Sequence, residues 1–240
     1  MNEINFWENS IVEGYYDQTI SKGLLSKKDI QSQWHEITYK NVVKLIDLNS
    51  KVLDFACGSG TFLGKYLKQN GFGTDIVKKQ IDYANRLYGQ NINFFYLNDV
   101  NLTKNAPYEV VTILGLIEFL SDAEIKELLI KLKSVSKNGT KFIITTPNYG
   151  SSIRFVEKIA NKIGDIDYSE VNVSDINKIK LFKILIDSGF VNIKISKIVN
   201  YGVFFSMISN RLGYFMDWFI SKITAKRFGF ILLAEATVKN

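Results

Sequence analysis

The segment Lys51-Val-Leu-Asp-Phe-Ala-Cys-Gly-Ser-Gly-Thr-Phe-Leu63 decides the fold class of this chain. An apolar run that contains Asp54 is followed by a turn with Gly58 and Gly60, and a helical pattern begins near Thr61. Glycines at such a turn adopt backbone conformations that other residues avoid, and they let a ligand approach the main chain. We therefore interpret the segment as a buried strand, a ligand-binding loop and the start of a helix.

The same kinds of element alternate along the rest of the chain. Apolar runs rich in β-branched and aromatic residues predict strands at residues 51–56, 71–76, 92–97, 110–114, 141–146, 191–199 and 228–238. Helical spacing predicts helices at residues 26–45, 60–69, 77–88, 122–136, 151–163 and 174–188. Ser121 and Glu124 form a capping box before one of them. Strands alternating with helices predict an α/β fold with a doubly wound, mostly parallel seven-stranded sheet and helices on both faces.

Length and composition favour one domain. The chain has 240 residues, of which 46% are hydrophobic and 22% charged, and its two prolines mark no breaker-rich linker. We expect a single domain over residues 1–240, with a helical cover at residues 1–45 and substrate-side insertions and helices at residues 150–225.

Several classes of function are disfavoured. With one cysteine, Cys57, and one histidine, His35, neither a disulfide framework nor a cysteine-based metal cluster is expected, and we predict no metal site. The net charge of +6 is spread along the chain, so we expect no nucleic-acid partner. No basic-then-apolar leader and no apolar stretch of about 18 residues is present, which favours a cytoplasmic protein, and the abundance of Lys, Asn and Ile favours a bacterial source.

Charge indicates which ligand the glycine loop accepts. A dinucleotide site needs a third glycine where this chain has Leu63, and Gly64 comes one residue late. Asp54 would repel a diphosphate and suits a cation, such as the ammonium and sulfonium of S-adenosyl-L-methionine. Asp75 follows Asp54 by 21 positions, the spacing of an acid that binds ribose hydroxyls, and Asp99 is placed to accept from the adenine amine. These acids predict S-adenosyl-L-methionine as cofactor and disfavour the alternative of a nucleotide-dependent oxidoreductase.

Over residues 42–148 the sequence resembles the class I S-adenosylmethionine-dependent methyltransferases, which have a Rossmann-like fold. The resemblance is carried by Val52-Leu-Asp-Phe-Ala-Cys-Gly-Ser-Gly60, Gly73-Thr-Asp-Ile76, Tyr108-Glu-Val-Val-Thr-Ile-Leu-Gly-Leu-Ile-Glu-Phe-Leu120 and Lys137-Asn-Gly-Thr-Lys-Phe-Ile-Ile-Thr-Thr-Pro-Asn148. The third of these is similar to the small-molecule branch that includes ubiquinone-biosynthesis and sugar-modifying enzymes. The resemblance implies transfer of a methyl group to an oxygen or nitrogen of a small molecule, such as a sugar, quinone or lipid-linked metabolite.

The resemblance also implies a cofactor cradle. Besides Asp54, its expected members are Ala56, Gly58 and Gly60 at the methionine moiety, Asp75 and Ile76 at the ribose, Asp99 and Val100 at the adenine, and Leu114 and Gly115 on the far side. Many relatives carry a Glu-His pair after the fourth strand, whereas this chain has Glu118 and Phe119. A catalytically inactive, cofactor-binding regulatory protein therefore stays open as an alternative.

Three residues are candidates for catalysis. Glu118 is expected at the mouth of the fourth-strand loop, facing the acceptor. His35 is the one side chain whose ordinary pKa lies near neutrality. Tyr16 belongs to an N-terminal segment that we expect to close over the cofactor.

Residues 203–223 form an apolar helical stripe with Lys222 on its polar side. Such a stripe ordinarily packs on the sheet or on a neighbouring helix, and we expect that here. A substrate lid, a dimer surface or a peripheral membrane contact helped by Lys222, Lys226 and Arg227 are the alternatives. The sequence leaves the oligomeric state open.

Overall fold

Seven short apolar segments form one twisted sheet, seen in a computed structural model that describes residues 3–156 and 174–239. The strands are β1 (Val52–Phe55), β2 (Gly71–Asp75), β3 (Asn93–Tyr96), β4 (Tyr108–Leu114), β5 (Ser136–Pro147), β6 (Phe190–Ile198) and β7 (Ile231–Val238). Their order is β3-β2-β1-β4-β5-β7-β6, and β7 is antiparallel to both neighbours whereas the other pairs are parallel. The predicted doubly wound, mostly parallel seven-stranded α/β sheet is confirmed.

Helices cover both faces of the sheet. They are α1 (Glu3–Asn9), α2 (Tyr15–Ser26), α3 (Ile30–Val43), α4 (Lys78–Tyr88), α5 (Asp122–Ser134), α6 (Lys178–Asp187) and α7 (Asn210–Ile223). Successive strand residues point to opposite faces, so Leu53 shares a buried cluster with Leu129 of α5 and Leu181 of α6. Its neighbour Val52 shares the cluster on the other face with Ile37 of α3. The predicted capping box of Ser121 and Glu124 is present at the start of α5.

The N-terminal cover differs from its predicted form. The helix predicted at residues 26–45 is present as α3 but begins only at Ile30, because α2 ends just before it, where Lys27 adopts a φ of +59°. The Asp29 carboxylate caps α3 by accepting from the Ser32 N–H at 2.6 Å. The cap and the left-handed residue break a pattern whose apolar spacing alone looks continuous.

Three other predicted helices have different bounds. The segment predicted at 60–69 is a π-helix over Phe62–Leu67, closed by the Lys68 N–H on the Leu63 carbonyl at 2.9 Å. The helix predicted at 122–136 ends at Ser134 because β5 already begins at Ser136. The helix predicted at 174–188 begins at Lys178, where the Asn177 side chain accepts from two backbone N–H groups. In the segment predicted at 151–163, residues 153–156 are helical, and residues 157–163 lie outside the described residues.

The stripe at residues 203–223 is not one helix, and only part of its apolar side packs inward. A 3₁₀-helix over Tyr201–Met207 precedes α7, and Ser209 caps α7. The residues that α7 buries are Gly213 and Asp217, whereas Phe215 and Trp218 are each 52% exposed. The expectation of core packing holds for Val203, which is buried in the core, but not for the aromatic residues of α7, because a polar contact at Asp217 fixes another side of that helix against the protein.

Candidate cofactor-binding site

The loop after β1 lies between the carboxyl ends of β1 and β2. Three of its residues have left-handed backbones, with φ of +62° at Ala56, +51° at Gly58 and +73° at Gly60. The Cys57 N–H donates to the Thr74 carbonyl at 3.0 Å, which ties the loop to β2. The turn places several main-chain groups at the sheet edge where α/β proteins bind ligands.

Asp75, at the end of β2, holds this loop in place. One of its carboxylate oxygens accepts from the Gly58 N–H and the other from the Val77 N–H, each at 2.9 Å. Burial raises the pKa of the Asp75 carboxyl, and the N–H groups of Val77, Gly58 and Ile76 oppose that rise. Each carboxylate oxygen has a second lone pair, so Asp75 can order the loop and still accept from a ligand hydroxyl.

Asp54 places a second buried carboxyl beside Asp75. It is 2% exposed and accepts from the Thr112 hydroxyl at 2.7 Å. Burial raises the pKa of Asp54 to about 7, the Thr112 hydrogen bond lowers it, and the charge of Asp75 raises it further. Neither carboxyl takes part in an ion pair formed by the described residues. Two carboxyls of this kind favour a cationic ligand, which would stabilise their charged forms.

The two glycines of the loop have different surroundings. A Cβ on Gly60 would lie 2.7 Å from the Phe94 ring and 2.9 Å from Ala84, so Gly60 serves close packing between the loop and its neighbours. A Cβ on Gly58 would meet one atom within 4 Å, Cδ2 of Tyr16 at 4.0 Å. Gly58 is therefore the position where the main chain is open to a ligand.

The N-terminal segment lies over this opening. Tyr16 of α2 approaches Gly58, and Trp7 of α1 contacts Phe119 edge-on with ring centroids 4.8 Å apart. Phe6 and Ile11 are buried in the same small cluster. Phe119, where many relatives carry a histidine, thus packs under the N-terminal cover.

Polar contacts attach α2 to α4. Asp17 accepts from the hydroxyls of Tyr83 at 3.1 Å and Tyr88 at 2.6 Å. The Gly14 N–H donates to Gln80 Oε1 at 3.0 Å. These contacts were not predicted, because a buried Asp at a helix start has no sequence pattern that distinguishes it from a surface Asp.

The catalytic candidates lie at different places around the loop. His35 on α3 is partly buried and contacts Tyr16, with ring centroids 5.8 Å apart. Burial lowers the pKa of His35 to about 4, against the opposing charge of Asp29. Glu118, in a 3₁₀-turn over Ile117–Phe119, is 5% exposed, and its Oε1 lies 3.6 Å from the position of a Cβ on Gly115. Tyr16 and His35 are thus adjacent, whereas Glu118 lies at the end of β4.

The remaining predicted residues follow neighbouring strand ends. Ile76, Leu114 and Val100 are partly buried, and Gly115 and Asp99 are exposed. The β2 and β4 ends flank that of β1, and the Leu97 N–H donates to the Asp75 carbonyl at 2.9 Å, which joins the β3 end to that of β2. Thr112 was not predicted, since a threonine in β4 has no signal in the sequence until the strand order is known.

Two broader properties concern the residues that the structure describes. Among them no group of three or more His, Cys, Asp or Glu side chains is arranged to hold a metal ion. None of their helices has the length and apolar character needed to cross a membrane.

Solved structures share this architecture. Magnesium protoporphyrin IX methyltransferase from Synechocystis PCC 6803, with bound S-adenosylhomocysteine, is 16% identical, with 99% of this chain and 98% of that chain covered and a TM-score of 0.61. An S-adenosylmethionine-dependent methyltransferase from Archaeoglobus fulgidus is 19% identical, with 99% and 100% covered and a TM-score of 0.60. The fold is therefore that of the class I S-adenosylmethionine-dependent methyltransferases.

A sequence match points the same way. A family model described as a methyltransferase domain matches residues 52–139, from β1 into β5. The matched segment contains the glycine loop, Asp75 and Glu118. No protein with a curated description matches this chain.

Proposed function

We propose that this protein is an S-adenosylmethionine-dependent methyltransferase that acts on an oxygen or nitrogen of a small molecule. The observation that carries the proposal is the open main chain at Gly58, ordered by the buried carboxylate of Asp75 and located in the segment that matches a methyltransferase domain.

The residues at the loop fit a cofactor with a cationic head and an adenosyl group. Asp54 and Asp75 supply negative charge without an ion-pair partner among the described residues, and Gly58 leaves space beside the main chain. In the proposed site, the loop from Ala56 to Gly60 would hold the methionine moiety, and Asp75 with Ile76 would hold the ribose. Asp99 and Val100 would contact the adenine, with Leu114 and Gly115 on the far side.

When bound, S-adenosylmethionine supplies a methyl group on a positively charged sulfur. The role of the protein would be to position the acceptor, since orienting two reactants lowers the barrier of a displacement. Glu118 is our candidate for accepting a proton from the acceptor, because its carboxylate lies at the end of β4 beside Gly115. The pKa of about 4 makes His35 a weak base, so we assign it and Tyr16 to positioning under the cover.

The packing at Phe119 favours a second candidate function, a cofactor-binding protein without catalytic turnover. The contact of Phe119 with Trp7 places an apolar pair where many relatives carry a histidine. A protein that binds the cofactor without turnover would tolerate that pair. Tight cofactor binding with no methyl transfer to sugars, quinones or lipid-linked acceptors would favour this second function.

Calorimetric titration with S-adenosylmethionine tests the proposed site. We expect Asp75→Ala to weaken binding by about 1–3 kcal/mol, the cost of charge-assisted hydrogen bonds that are no longer made. Asp82→Ala is the matched control, because Asp82 is an acid on the adjacent α4 whose side chain is 54% exposed and paired with Lys78. Unchanged affinity of Asp75→Ala would remove Asp75 from the site, and absence of binding by the unaltered protein would contradict the proposed function.

A further inference from the structure

Helix α7 turns Gly213 and Asp217 inward and its aromatic side chains outward. Its buried residues are Gly213 and Asp217. Its large exposed side chains are Tyr214 at 40%, Phe215 and Trp218 at 52%, Phe219 at 42% and Ile223 at 66%. The preceding 3₁₀-helix and its last turn add Phe205, Met207 and Ile208, which are 40%, 69% and 61% exposed. We call these eight side chains the aromatic face.

The orientation of α7 is fixed by contacts on its inner side. The Asn200 N–H donates to Asp217 Oδ1 at 2.7 Å, and Asn200 Nδ2 donates to the Asp217 carbonyl at 2.7 Å. A Cβ on Gly213 would lie 1.9 Å from the Ser206 hydroxyl, so the helix approaches too closely for a larger residue. Rotating α7 to bury its aromatic residues would break these buried hydrogen bonds, which are costly to leave unmade.

The charges in the chain segment that carries the aromatic face are mostly basic. Between residues 199 and 234 the basic residues are Arg211, Lys222, Lys226 and Arg227, and the one acid is Asp217, which is buried. The Lys222 ammonium lies 5.3 Å from the Trp218 ring centroid. Lys226 also lines a groove of about 330 Å³, together with Lys44, Lys194 and the acid Glu235.

A second group of exposed apolar residues is smaller and mostly aliphatic. It lies on α5 and α6 and consists of Ile130, Ile179, Phe182 and Ile186. Ion pairs of Lys126 with Asp187 at 3.0 Å and of Lys180 with Asp122 at 2.7 Å join these two helices, which together carry six lysines and four acids. The aromatic face therefore combines positive charge with eight exposed apolar side chains, five of them aromatic, whereas the second group has four, of which Phe182 alone is aromatic.

We propose that the aromatic face docks on an anionic lipid membrane, with α7 lying in the interface. Helices that lie in a membrane interface combine aromatic and aliphatic residues on one side with Lys and Arg beside them. Each basic residue near an anionic bilayer adds to binding. The same charges disfavour a second copy as the occupant, because a symmetric pairing would place basic residues of like sign against each other. This docking goes beyond the proposed function and does not depend on cofactor binding.

The segment that leads from α7 to β7 contacts the end of β5 and α3. The Asn148 N–H, at the end of β5, donates to the Phe230 carbonyl at 2.7 Å. Trp34 of α3, next to His35, stacks on the Phe230 ring with centroids 5.6 Å apart.

Vesicle sedimentation of the full chain without cofactor tests the docking. The vesicles are phosphatidylcholine alone, or phosphatidylcholine mixed with phosphatidylglycerol. We expect the protein to bind the mixed vesicles at least about tenfold more tightly than the zwitterionic ones. A Trp218→Ser, Phe219→Ser variant and a Lys222→Gln, Lys226→Gln, Arg227→Gln variant should each lose at least about tenfold in binding to mixed vesicles. Phe182→Ser, whose side chain is 44% exposed on α6, is the matched control and should bind normally.

Other results would overturn the proposal. They are failure of the unaltered protein to bind mixed vesicles, equal binding to both vesicles, undiminished binding by the altered proteins, or loss of binding in Phe182→Ser. A concentration-dependent dimer that Trp218→Ser abolishes, without vesicle binding, would assign the face to a second copy. Thermal melts accompany each variant, and if the apolar variant melts early, the charge variant decides the outcome.

Discussion

At the residue scale, Asp54 links the electrostatics of the site to the stability of the protein. Its pKa of about 7 lies above the ordinary value of 3.8, so the folded protein holds a proton that the unfolded chain releases between these pH values. The Asp54 contribution to the free energy of unfolding therefore falls as pH rises through this window, by up to about 4 kcal/mol. Charged carboxyls that are buried in an unliganded site lower the free energy of unfolding, and a bound cationic ligand would offset that loss.

We predict that Asp54→Asn removes this cost. The amide oxygen can still accept from Thr112, while the buried charge is absent. Urea unfolding at pH 5 and pH 8 should show the variant gaining stability relative to the unaltered protein as pH rises. Parallel pH dependences of the two proteins would contradict the placement of Asp54 as a buried, ligand-facing acid.

A second prediction at the residue scale concerns the two glycines of the loop. Alanine at Gly60 would place a Cβ 2.7 Å from Phe94, whereas alanine at Gly58 meets only Tyr16 at 4.0 Å, and both positions have positive φ. We expect Gly60→Ala to reduce the free energy of unfolding by about 1–3 kcal/mol more than Gly58→Ala does. Gly58→Ala should instead weaken S-adenosylhomocysteine binding, measured by calorimetry. Equal effects of the two variants on both measurements would argue against separate packing and ligand roles.

At the element scale, the N-terminal cover acts on the site through Tyr16. Its ring lies over Gly58 and beside His35. We expect Tyr16→Ala to weaken S-adenosylhomocysteine binding by about 0.5–1.5 kcal/mol in calorimetry, the scale of a lost aromatic contact. Leu25→Ala, on the same helix but 83% exposed, should bind like the unaltered protein. Equal affinity of Tyr16→Ala and Leu25→Ala for S-adenosylhomocysteine would show that the N-terminal cover does not contribute to cofactor binding.

Individual elements show why periodicity predicts some structure and misses the rest. The strands were predicted because buried parallel strands form apolar runs, and their bounds agree within about three residues except at β5, which begins at Ser136 instead of residue 141. The inverted packing of α7 was missed because it depends on Asn200 contacting Asp217 across 17 residues. A period of 3.6 residues identifies an apolar side but does not say whether that side faces the protein.

At the scale of the whole molecule, the candidate site is a product of sheet order. Asp54, Asp75 and Gly115 lie at the ends of β1, β2 and β4, and the order β2-β1-β4 makes these ends neighbours. Motif spacing predicted the loop and its acids from the chain alone. The support that surrounds them, from Thr112 below and from Tyr16 above, appears only when distant segments are brought together.

The most direct test of the central claim is a set of thermal melts with S-adenosylmethionine, S-adenosylhomocysteine, NAD and NADP. A ligand at 100 times its dissociation constant stabilises a fold by about 2.7 kcal/mol, which a melting curve resolves. We predict stabilisation by the two adenosyl sulfur compounds and none by the dinucleotides. Stabilisation by NAD or NADP alone would contradict the assignment of the glycine loop and its two buried carboxyls to S-adenosylmethionine.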